Sequence, residues 1–329
     1  MYRVKEGIIG CAIGDSLGLS SKGQKREYLL EHPVLKMLPS VRRGIQKGAW
    51  SDCTSLMLAT TAAITKRGMN YDYIAENCTS WFTSNRYCSV SESFGIGNTT
   101  LKALVEFTKR EKPAYECGLD DFDSNGNSSL KMVLPLAYYF TAKKASKEEV
   151  YDTIKKVCSI THRHDISVCA CYIFVHYIML ILSGNNKFAA YKKLKTIDYS
   201  KFDNKTLDYF SRILIGNLNE FDIDEISSTS FVVDTLESVI WCFMQSENYK
   251  DCMLACANIG DDTSTIGGLT GTIAGIYYGT NKIPPAWLES LKTLPDKSRV
   301  CMRTTAPRFL LRASKSAFMP SERIPQLAT

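Results

Sequence analysis

The sequence predicts an all-α protein, and three observations support this fold class. Apolar residues recur at helical spacing through most of the 329 residues. Alternation of apolar and polar residues, which is typical of strands, is missing, and so is a regular succession of strand and helix. The segment Ser51–Lys66 shows the helical pattern well, and it ends shortly before Gly68, a residue typical of a helix stop.

Four further segments have the same helical character. They are Ser146–Ile160, Ile166–Leu182, Ser228–Gln245 and Tyr249–Asn258. The longest apolar run, Val168–Leu182, is shorter than the roughly 18–20 residues that cross a bilayer, and it contains His176. We therefore predict a buried core helix there and no membrane span.

Two glycine stripes indicate close helix packing. Gly7, Gly10, Gly14 and Gly18 are spaced by 3, 4 and 4 residues, and the same spacing recurs at Gly268, Gly271, Gly275 and Gly279. Such positions share one helix face. Because each glycine costs a helix about 1 kcal/mol relative to alanine, two stripes imply a compensating close approach. We expect the first helix and a late helix to pack tightly, and the pairing of the two with each other is the simplest arrangement.

The net charge is concentrated at the C-terminal end. The chain carries a formal charge of +6. Residues 296–329 hold seven basic and two acidic residues, so residues 1–295 carry only +1. A near-neutral body argues against a face that binds duplex nucleic acid. We divide the chain into a domain over residues 1–295 and a basic tail over residues 296–329, which we expect to be partly ordered at best.

The cysteines indicate a reducing compartment. The chain has 12 cysteines, mostly within apolar stretches, and no CxxC pair. With four histidines in the chain, a zinc site is not expected. The polar N-terminal residues do not resemble a secretory leader. We predict reduced thiols that pack as small hydrophobic side chains in a cytoplasmic protein.

Three polar clusters stand before apolar helical segments. They are Trp50–Ser55, Asp123–Ser129 and Gly260–Thr265. Each one alone is most simply a helix cap, because Ser, Thr, Asp and Asn are the usual N-cap residues. The first and third could also bind a hard cation such as Mg²⁺ through carboxylate and hydroxyl oxygens. The second could present backbone N–H groups to a phosphate at the start of a helix.

Taken in order, the motifs resemble the ADP-ribosylglycohydrolase family over about residues 7–291. The residues that carry the resemblance are Gly10–Gly18, Trp50–Met57, Phe94–Thr100, Asn125–Met132, Thr161–His162, Asn258–Gly267 and Ile283–Trp287. The resemblance implies an orthogonal bundle of many helices with a binuclear Mg²⁺ or Mn²⁺ site in a cleft. It also implies hydrolysis of the C1″ glycosidic bond of an ADP-ribosylated substrate, in which metals and carboxylates position and activate the reacting groups.

The sequence departs from the family pattern at its metal-binding positions. Cys53 follows Asp52 where the family has paired aspartates. Ser264 replaces the second aspartate of the closing motif, and Lys22 stands where the family often has a glutamate. Two Mg²⁺ ions carry +4 and two carboxylates supply only −2. Like unit charges ~4 Å apart repel by about 4 kcal/mol at an effective dielectric near 20, so we do not expect a normal binuclear site.

The residues that remain define the predicted site. By the resemblance, the metal ligands are Ser51, Asp52, Asp262 and Thr265, and the catalytic carboxylates are Asp52 and Asp262. We expect one Mg²⁺ ion, a weakly bound one, or none. The predicted ligand-binding residues are Gly97, Asn125, Gly126, Asn127, Ser128, Ser129 and His162.

Three functions stay open at this point. The chain is a hydrolase with a reduced, Mg²⁺-dependent site, or an impaired relative that binds ADP-ribose or a related nucleotide as a sensor, sponge or partner. The third possibility is a structural role that uses the fold alone. The expected partners are ADP-ribose or an ADP-ribosylated protein or small molecule, with neither duplex nucleic acid nor a membrane. Measuring the binding of ADP-ribose with and without Mg²⁺ distinguishes the three functions. Metal-dependent binding favours the hydrolase, metal-independent binding favours the impaired relative, and no binding favours the structural role.

Overall fold

The computed structural model describes residues 3–292, and within them regular structure is entirely helical. Apart from short 3₁₀ turns and isolated bridges, this part of the chain forms fifteen α-helices. The prediction of an all-α protein is therefore confirmed. In chain order the helices are α1 Val4–Gly18, α2 Arg26–Glu31, α3 Asp52–Arg67, α4 Tyr71–Ser84, α5 Asn98–Thr108, α6 Ser128–Lys143, α7 Lys147–Cys158, α8 Asp165–Leu182, α9 Lys187–Leu194, α10 Asn204–Asp208, α11 Ser211–Leu214, α12 Val232–Gln245, α13 Tyr249–Asn258, α14 Thr263–Tyr278 and α15 Pro285–Lys292.

The predicted segments match these helices with one clear difference. Helix α13 has the predicted bounds, and Ser51 and Ser146 cap α3 and α7 with their side chains. Helix α12 begins at Val232, four residues later than the predicted Ser228. The intervening residues form a loop instead, because Phe231 pairs with Gly126 in an isolated bridge. This bridge ties the loop before α12 to the loop before α6.

Helices α1 and α14 form the closest helix pair of the bundle. A Cβ added at Gly10 would overlap the carbonyl oxygen of Gly271, and one added at Gly14 would overlap that of Gly267. The prediction that the two glycine stripes pack on each other is therefore confirmed. Glycine lets the two backbones touch along their length, which offsets its cost in helix propensity.

The stripes differ from the prediction in detail. Gly7 faces the side chain of Tyr138 and that of Thr272. Gly268 faces the side chains of Cys53 and Asp15, while its neighbour Gly267 makes the contact with the α1 backbone, at Gly14. Gly279 ends α14 with a φ of 87°, a left-handed conformation that favours glycine.

Helix α8 is a core helix, as predicted. It packs against α6, α7, α9 and α12, and most of its residues are buried. The full helix is 18 residues long, and its length and composition alone would allow a membrane span. Its burial inside the bundle, at 72% of the residues, identifies it instead as the interior of the fold.

The described cysteines are buried and form no disulfide bonds. All eleven cysteines within residues 3–292 are reduced thiols, as the sequence predicted for small hydrophobic side chains. Residues 296–329, which we assigned to a basic tail, lie outside the described residues.

The close approach of α1 and α14 predicts a stability effect at Gly10. Gly10→Ala places a methyl group against the α14 backbone, and overpacking of this kind costs about 1–3 kcal/mol. We expect the free energy of unfolding, measured by urea denaturation, to fall by about that amount. Lys5→Ala, on the exposed face of α1, is the control and should change it little. Equal stability of Gly10→Ala and the parent would contradict this packing.

Candidate active site

Several helices begin at one cleft. Gly97, Asn127 and Asp262 are the N-cap residues of α5, α6 and α14, and all three line the cleft. The cleft has a volume of about 450 Å³, within the range of small-molecule sites. Its charged lining consists of Lys22, Lys25, Arg43, Lys131, Asp261 and Asp262. Unpaired N–H groups at helix starts and an excess of cations both favour an anionic ligand.

Asp15 on α1 anchors the start of α3 beneath the cleft. Its carboxylate accepts hydrogen bonds from the backbone N–H and the hydroxyl of Ser51, at 3.0 and 2.7 Å. It also accepts from the N–H and hydroxyl of Thr54, at 3.1 and 2.8 Å. Burial raises the pKa of Asp15 to about 6, against the effect of these donors. Asp15 is fully enclosed, and its partners Ser51 and Thr54 flank Asp52 in the sequence, so Asp15 fixes the helix start that carries Asp52.

Asp52, the first residue of α3, is paired with a buried lysine. The Nζ of Lys131 lies 2.5 Å from Asp52 Oδ2, and the side chains are only 3% and 1% exposed. Burial opposes the charge of Lys131, but Asp52 and then Asp262 hold the pKa of this ammonium above its usual value. The other carboxylate oxygen, Asp52 Oδ1, is buried, has no hydrogen-bond partner among residues 3–292, and lies beside Gly95.

Asp262, at the start of α14, is also paired with a lysine. The Nζ of Lys22 lies 2.6 Å from Asp262 Oδ1 and donates to the hydroxyl of Ser264 at 2.9 Å. The side-chain amide of Asn127 donates to Asp262 Oδ2 at 2.8 Å. Burial alone would raise the pKa of Asp262, but the charges of Lys22 and Lys131 hold it well below its usual range. Both carboxylate oxygens are therefore engaged.

The other two predicted metal ligands, Ser51 and Thr265, add few oxygen atoms that could bind a metal ion. The hydroxyl of Ser51 is committed to Asp15 and to the N–H of Cys53. The Thr265 hydroxyl is buried without a hydrogen-bond partner. Cys53 packs against Gly268 of α14, and its contact with Cys11, together with burial, raises the pKa of the thiol well above its usual value. A neutral, buried thiol is a poor ligand for a hard cation.

These residues do not fit a binuclear magnesium centre. Asp262 Oδ1 is engaged by its ion pair with Lys22. Among the four predicted ligands within the described residues, this leaves two buried oxygens without a partner, Asp52 Oδ1 and Thr265 Oγ1. Magnesium requires near-octahedral coordination by oxygen, and two ammonium groups lie at the same carboxylates. Within residues 3–292, no three His, Cys, Asp or Glu side chains come together as a metal-binding group.

The structure divides the predicted ligand-binding residues into two sets. Gly97, Asn127 and Ser128 line the cleft. Asn125 and Ser129 are buried, and Asn125 accepts hydrogen bonds from the N–H and hydroxyl of Ser167, at 3.1 and 2.7 Å. Asn125 therefore holds the loop before α6 against α8.

His162 lies beneath this loop. Its Nε2 would be 3.5 Å from a Cβ at Gly126, and its Nδ1 is 2.8 Å from the hydroxyl of Thr161. The backbone of His162 also takes part in a bridge with Leu119. Burial, and then the nearby charge of Lys131, lower the pKa of His162 to about 3. At neutral pH the imidazole is therefore uncharged.

Comparison with known proteins agrees with these motifs. The model of the ADP-ribosylglycohydrolase family matches residues 1–317. The chain belongs to this family. Membership supports the hydrolysis of ADP-ribosyl linkages as the chemistry for which the family's cleft is built.

Individual relatives are similar over most of the chain. An ADP-ribosylarginine hydrolase, Tri1, from Serratia proteamaculans (strain 568) is 26% identical over 88% of this chain and 75% of its own. The ADP-ribosyl-[dinitrogen reductase] glycohydrolase of Rhodospirillum rubrum is 23% identical over 86% of this chain and 88% of its own. A solved structure described as an ADP-ribosylglycohydrolase-related protein complex superposes with a TM-score of 0.76. It is 22% identical and covers 95% of this chain and 98% of that one, which shows the shared fold.

Two residues important to this ADP-ribosylglycohydrolase site were absent from the sequence prediction. The sequence did contain an indication for Lys131. A lysine inside the apolar stretch that follows Ser129 must either reach solvent or pair with a carboxylate. Asp15 lies in the glycine-rich first motif, and its role as an acceptor for α3 becomes visible only when α1 and α3 are placed together.

The lowered pKa of His162 predicts a pH-dependent contribution to stability. An ordinary histidine, as in the unfolded chain, titrates near 6.5, whereas folded His162 titrates near 3. As the pH falls below 6.5, the unfolded state binds a proton that the folded state excludes, so stability is lost. The loss reaches about 2 kcal/mol by pH 5.

His162→Asn removes this pH-dependent loss of stability. The difference in the free energy of unfolding between this variant and the parent, measured by urea denaturation, should therefore shrink between pH 7 and pH 5. His32→Asn, at an exposed histidine, is the control. A difference that stays constant with pH would contradict a buried, neutral His162.

Proposed function

We propose that this chain binds ADP-ribose, or the ADP-ribosyl group of a modified protein or small molecule, and that its hydrolytic activity is weak or absent. The observation that carries the proposal is the pairing of both remaining site carboxylates with lysines. Asp52 Oδ2 binds Lys131, and Asp262 binds Lys22 and Asn127, so among the described residues Asp52 Oδ1 is the one oxygen of these two carboxylates that is left to hold a divalent ion or to accept a proton. In the reaction implied by the family, carboxylates and the ions they hold orient and activate the attacking water.

The cleft suits a diphosphate. Lys22, Lys25, Arg43 and Lys131 outnumber the acidic groups that line it, Asp261 and Asp262. The helix starts at Gly97 and Asn127 add backbone N–H groups on the same wall. Helix N-termini and ammonium or guanidinium groups are the usual partners of phosphate oxygens. We propose Gly97, Asn127 and Ser128 as ligand contacts, with Asn125, Gly126, Ser129 and His162 supporting the loop that presents them.

Aromatic side chains lie next to this loop and offer a stacking surface. The ring of Phe122 is 53% exposed, and its centroid lies 6.0 Å from that of Tyr209 and 6.3 Å from that of Phe231. Phe231 directly follows Ser230, which lines the cleft. Bases stack on exposed aromatic rings. We propose this cluster as the position of the adenine base, with the diphosphate in the cationic cleft.

A slow, metal-dependent hydrolase is the second candidate function. Asp52, Asp262 and Thr265 are retained, and the relatives described above are named as hydrolases. The substrate class is then an ADP-ribosyl linkage, and Mg²⁺ would be held weakly, as a single ion. The reduced thiols agree with a cytoplasmic location, which remains a prediction.

Ligand binding predicts a rise in thermal stability with ADP-ribose. A ligand that binds only the folded state at 100 times its dissociation constant stabilises it by about 2.7 kcal/mol. Gly97 has an ordinary φ of −76°, and a Cβ there would meet only the hydroxyl of Ser128, at 3.5 Å. Gly97→Leu should therefore fold normally, fill the cleft and abolish the ligand-induced shift in melting temperature. Gly97→Ala is the control for the loss of glycine at this position, and it should retain most of the shift because a methyl group leaves the cleft open. A full shift in Gly97→Leu would place the ligand elsewhere.

Impaired catalysis predicts little release of ADP-ribose from an ADP-ribosylated arginine substrate. We expect the same low rate with Mg²⁺ and with a chelator, because the carboxylates that would hold the ion are paired with lysines. The measurement is chromatographic detection of free ADP-ribose over time. A robust, Mg²⁺-dependent rate would favour the second candidate, the hydrolase, over an impaired binder.

A further inference from the structure

Two ammonium groups lie at the two carboxylates that the family motifs preserve. Lys131 is the fourth residue of α6, and its side chain is almost fully buried against Asp52. A buried ammonium is stable only when an opposite charge and hydrogen-bond acceptors surround it. Lys131 makes its ion pair with Asp52, and its charge also helps to lower the pKa of Asp262. Lys131 is therefore a buried part of the site and not a surface lysine at its edge.

Lys22 reaches the same site from the turn after α1. Its side chain is 22% exposed, and its Nζ contacts both Asp262 Oδ1 and Ser264 Oγ. One ammonium group therefore binds both a carboxylate and a hydroxyl at the start of α14, and the Ser264 hydroxyl accepts its hydrogen bond.

The charges within this cluster balance without any metal. Asp52 and Asp262 supply −2, and Lys22 and Lys131 supply +2. A divalent ion would have to displace an ammonium group from its carboxylate or remain next to it uncompensated. Each ammonium has three N–H donors, so both can hold a carboxylate and still face the cleft that they line.

We propose that Lys22 and Lys131 are the resident cations of this site and take the place of divalent metal ions. The cleft is then assembled and positively charged in the absence of metal. The replacement does not depend on the identity of the ligand, so it can fail or hold independently of the proposed binding of ADP-ribose.

Mn²⁺ binding to the full-length protein, measured by electron paramagnetic resonance, tests the proposal without any activity assay. The parent should bind no Mn²⁺ at this site, and its melting temperature should be the same with Mn²⁺ and with EDTA. The double variant Lys22→Glu, Lys131→Met removes both cations and adds a carboxylate beside Asp262. It should bind Mn²⁺ roughly tenfold or more tightly than the parent, and Mn²⁺ should raise its melting temperature.

Lys25→Glu is the matched control. Lys25 lines the same cleft, but it pairs with the partly exposed Asp261, at 2.9 Å, and touches neither Asp52 nor Asp262. This variant makes the same charge change as Lys22→Glu alone and should gain no Mn²⁺ affinity comparable to that of Lys22→Glu or of the double variant.

Three results would overturn the proposal. The first is tight Mn²⁺ binding by the parent, or its destabilisation by EDTA. The second is an equal gain of affinity in Lys25→Glu. The third is a folded double variant that binds no Mn²⁺. If the double variant does not fold, Lys22→Glu alone replaces it, because Lys22 is partly exposed and its loss leaves the buried pair of Lys131 and Asp52 intact.

Discussion

The direct contact between the backbones of α1 and α14 is the constraint on which the site depends. Glycines on both helices remove the side chains that would separate them. Helices α1 and α14, which lie far apart in the sequence, therefore meet along their length. Gly18, the last residue of α1, lies against Thr263, the first of α14, and the Thr263 hydroxyl donates to the Gly18 carbonyl at 2.7 Å. Two of the family motifs, Gly10–Gly18 and Asn258–Gly267, are thereby brought to one end of the pair.

The polar groups of the site follow from this arrangement. Asp15 projects from α1 toward the start of α3 and fixes Ser51 and Asp52. The turn after α1 carries Lys22 to Asp262 at the start of α14. The remaining wall comes from α6, whose start is tied to the loop before α12 by the bridge of Gly126 with Phe231. One close helix pair therefore sets the distances among groups that lie far apart in the sequence.

The fold was predictable from the sequence to a large extent, and the site only in part. Helical periodicity located α3, α7, α8 and α13, because each buries one face or its whole surface in a shared core. The start of α12 was placed too early, since the loop before it is held by a tertiary bridge that no local pattern reveals. The motifs located Asp52 and Asp262. The ion pair of Lys131 with Asp52 joins residues that are far apart in the sequence, so sequence spacing could not predict it. The resemblance marked Lys22 as a departure from the family pattern, and the structure places its ammonium group on Asp262.

The distribution of the thiols has a practical consequence for measurements on this protein. Eleven buried cysteines lie within residues 3–292, nine of them in α-helices and two, Cys88 and Cys117, in loops. A thiol-reactive reagent can therefore label them only when the surrounding segment opens. The rate at which each cysteine is labelled would report the opening free energy of its own segment, so the native sequence already contains a set of probes for mapping local stability.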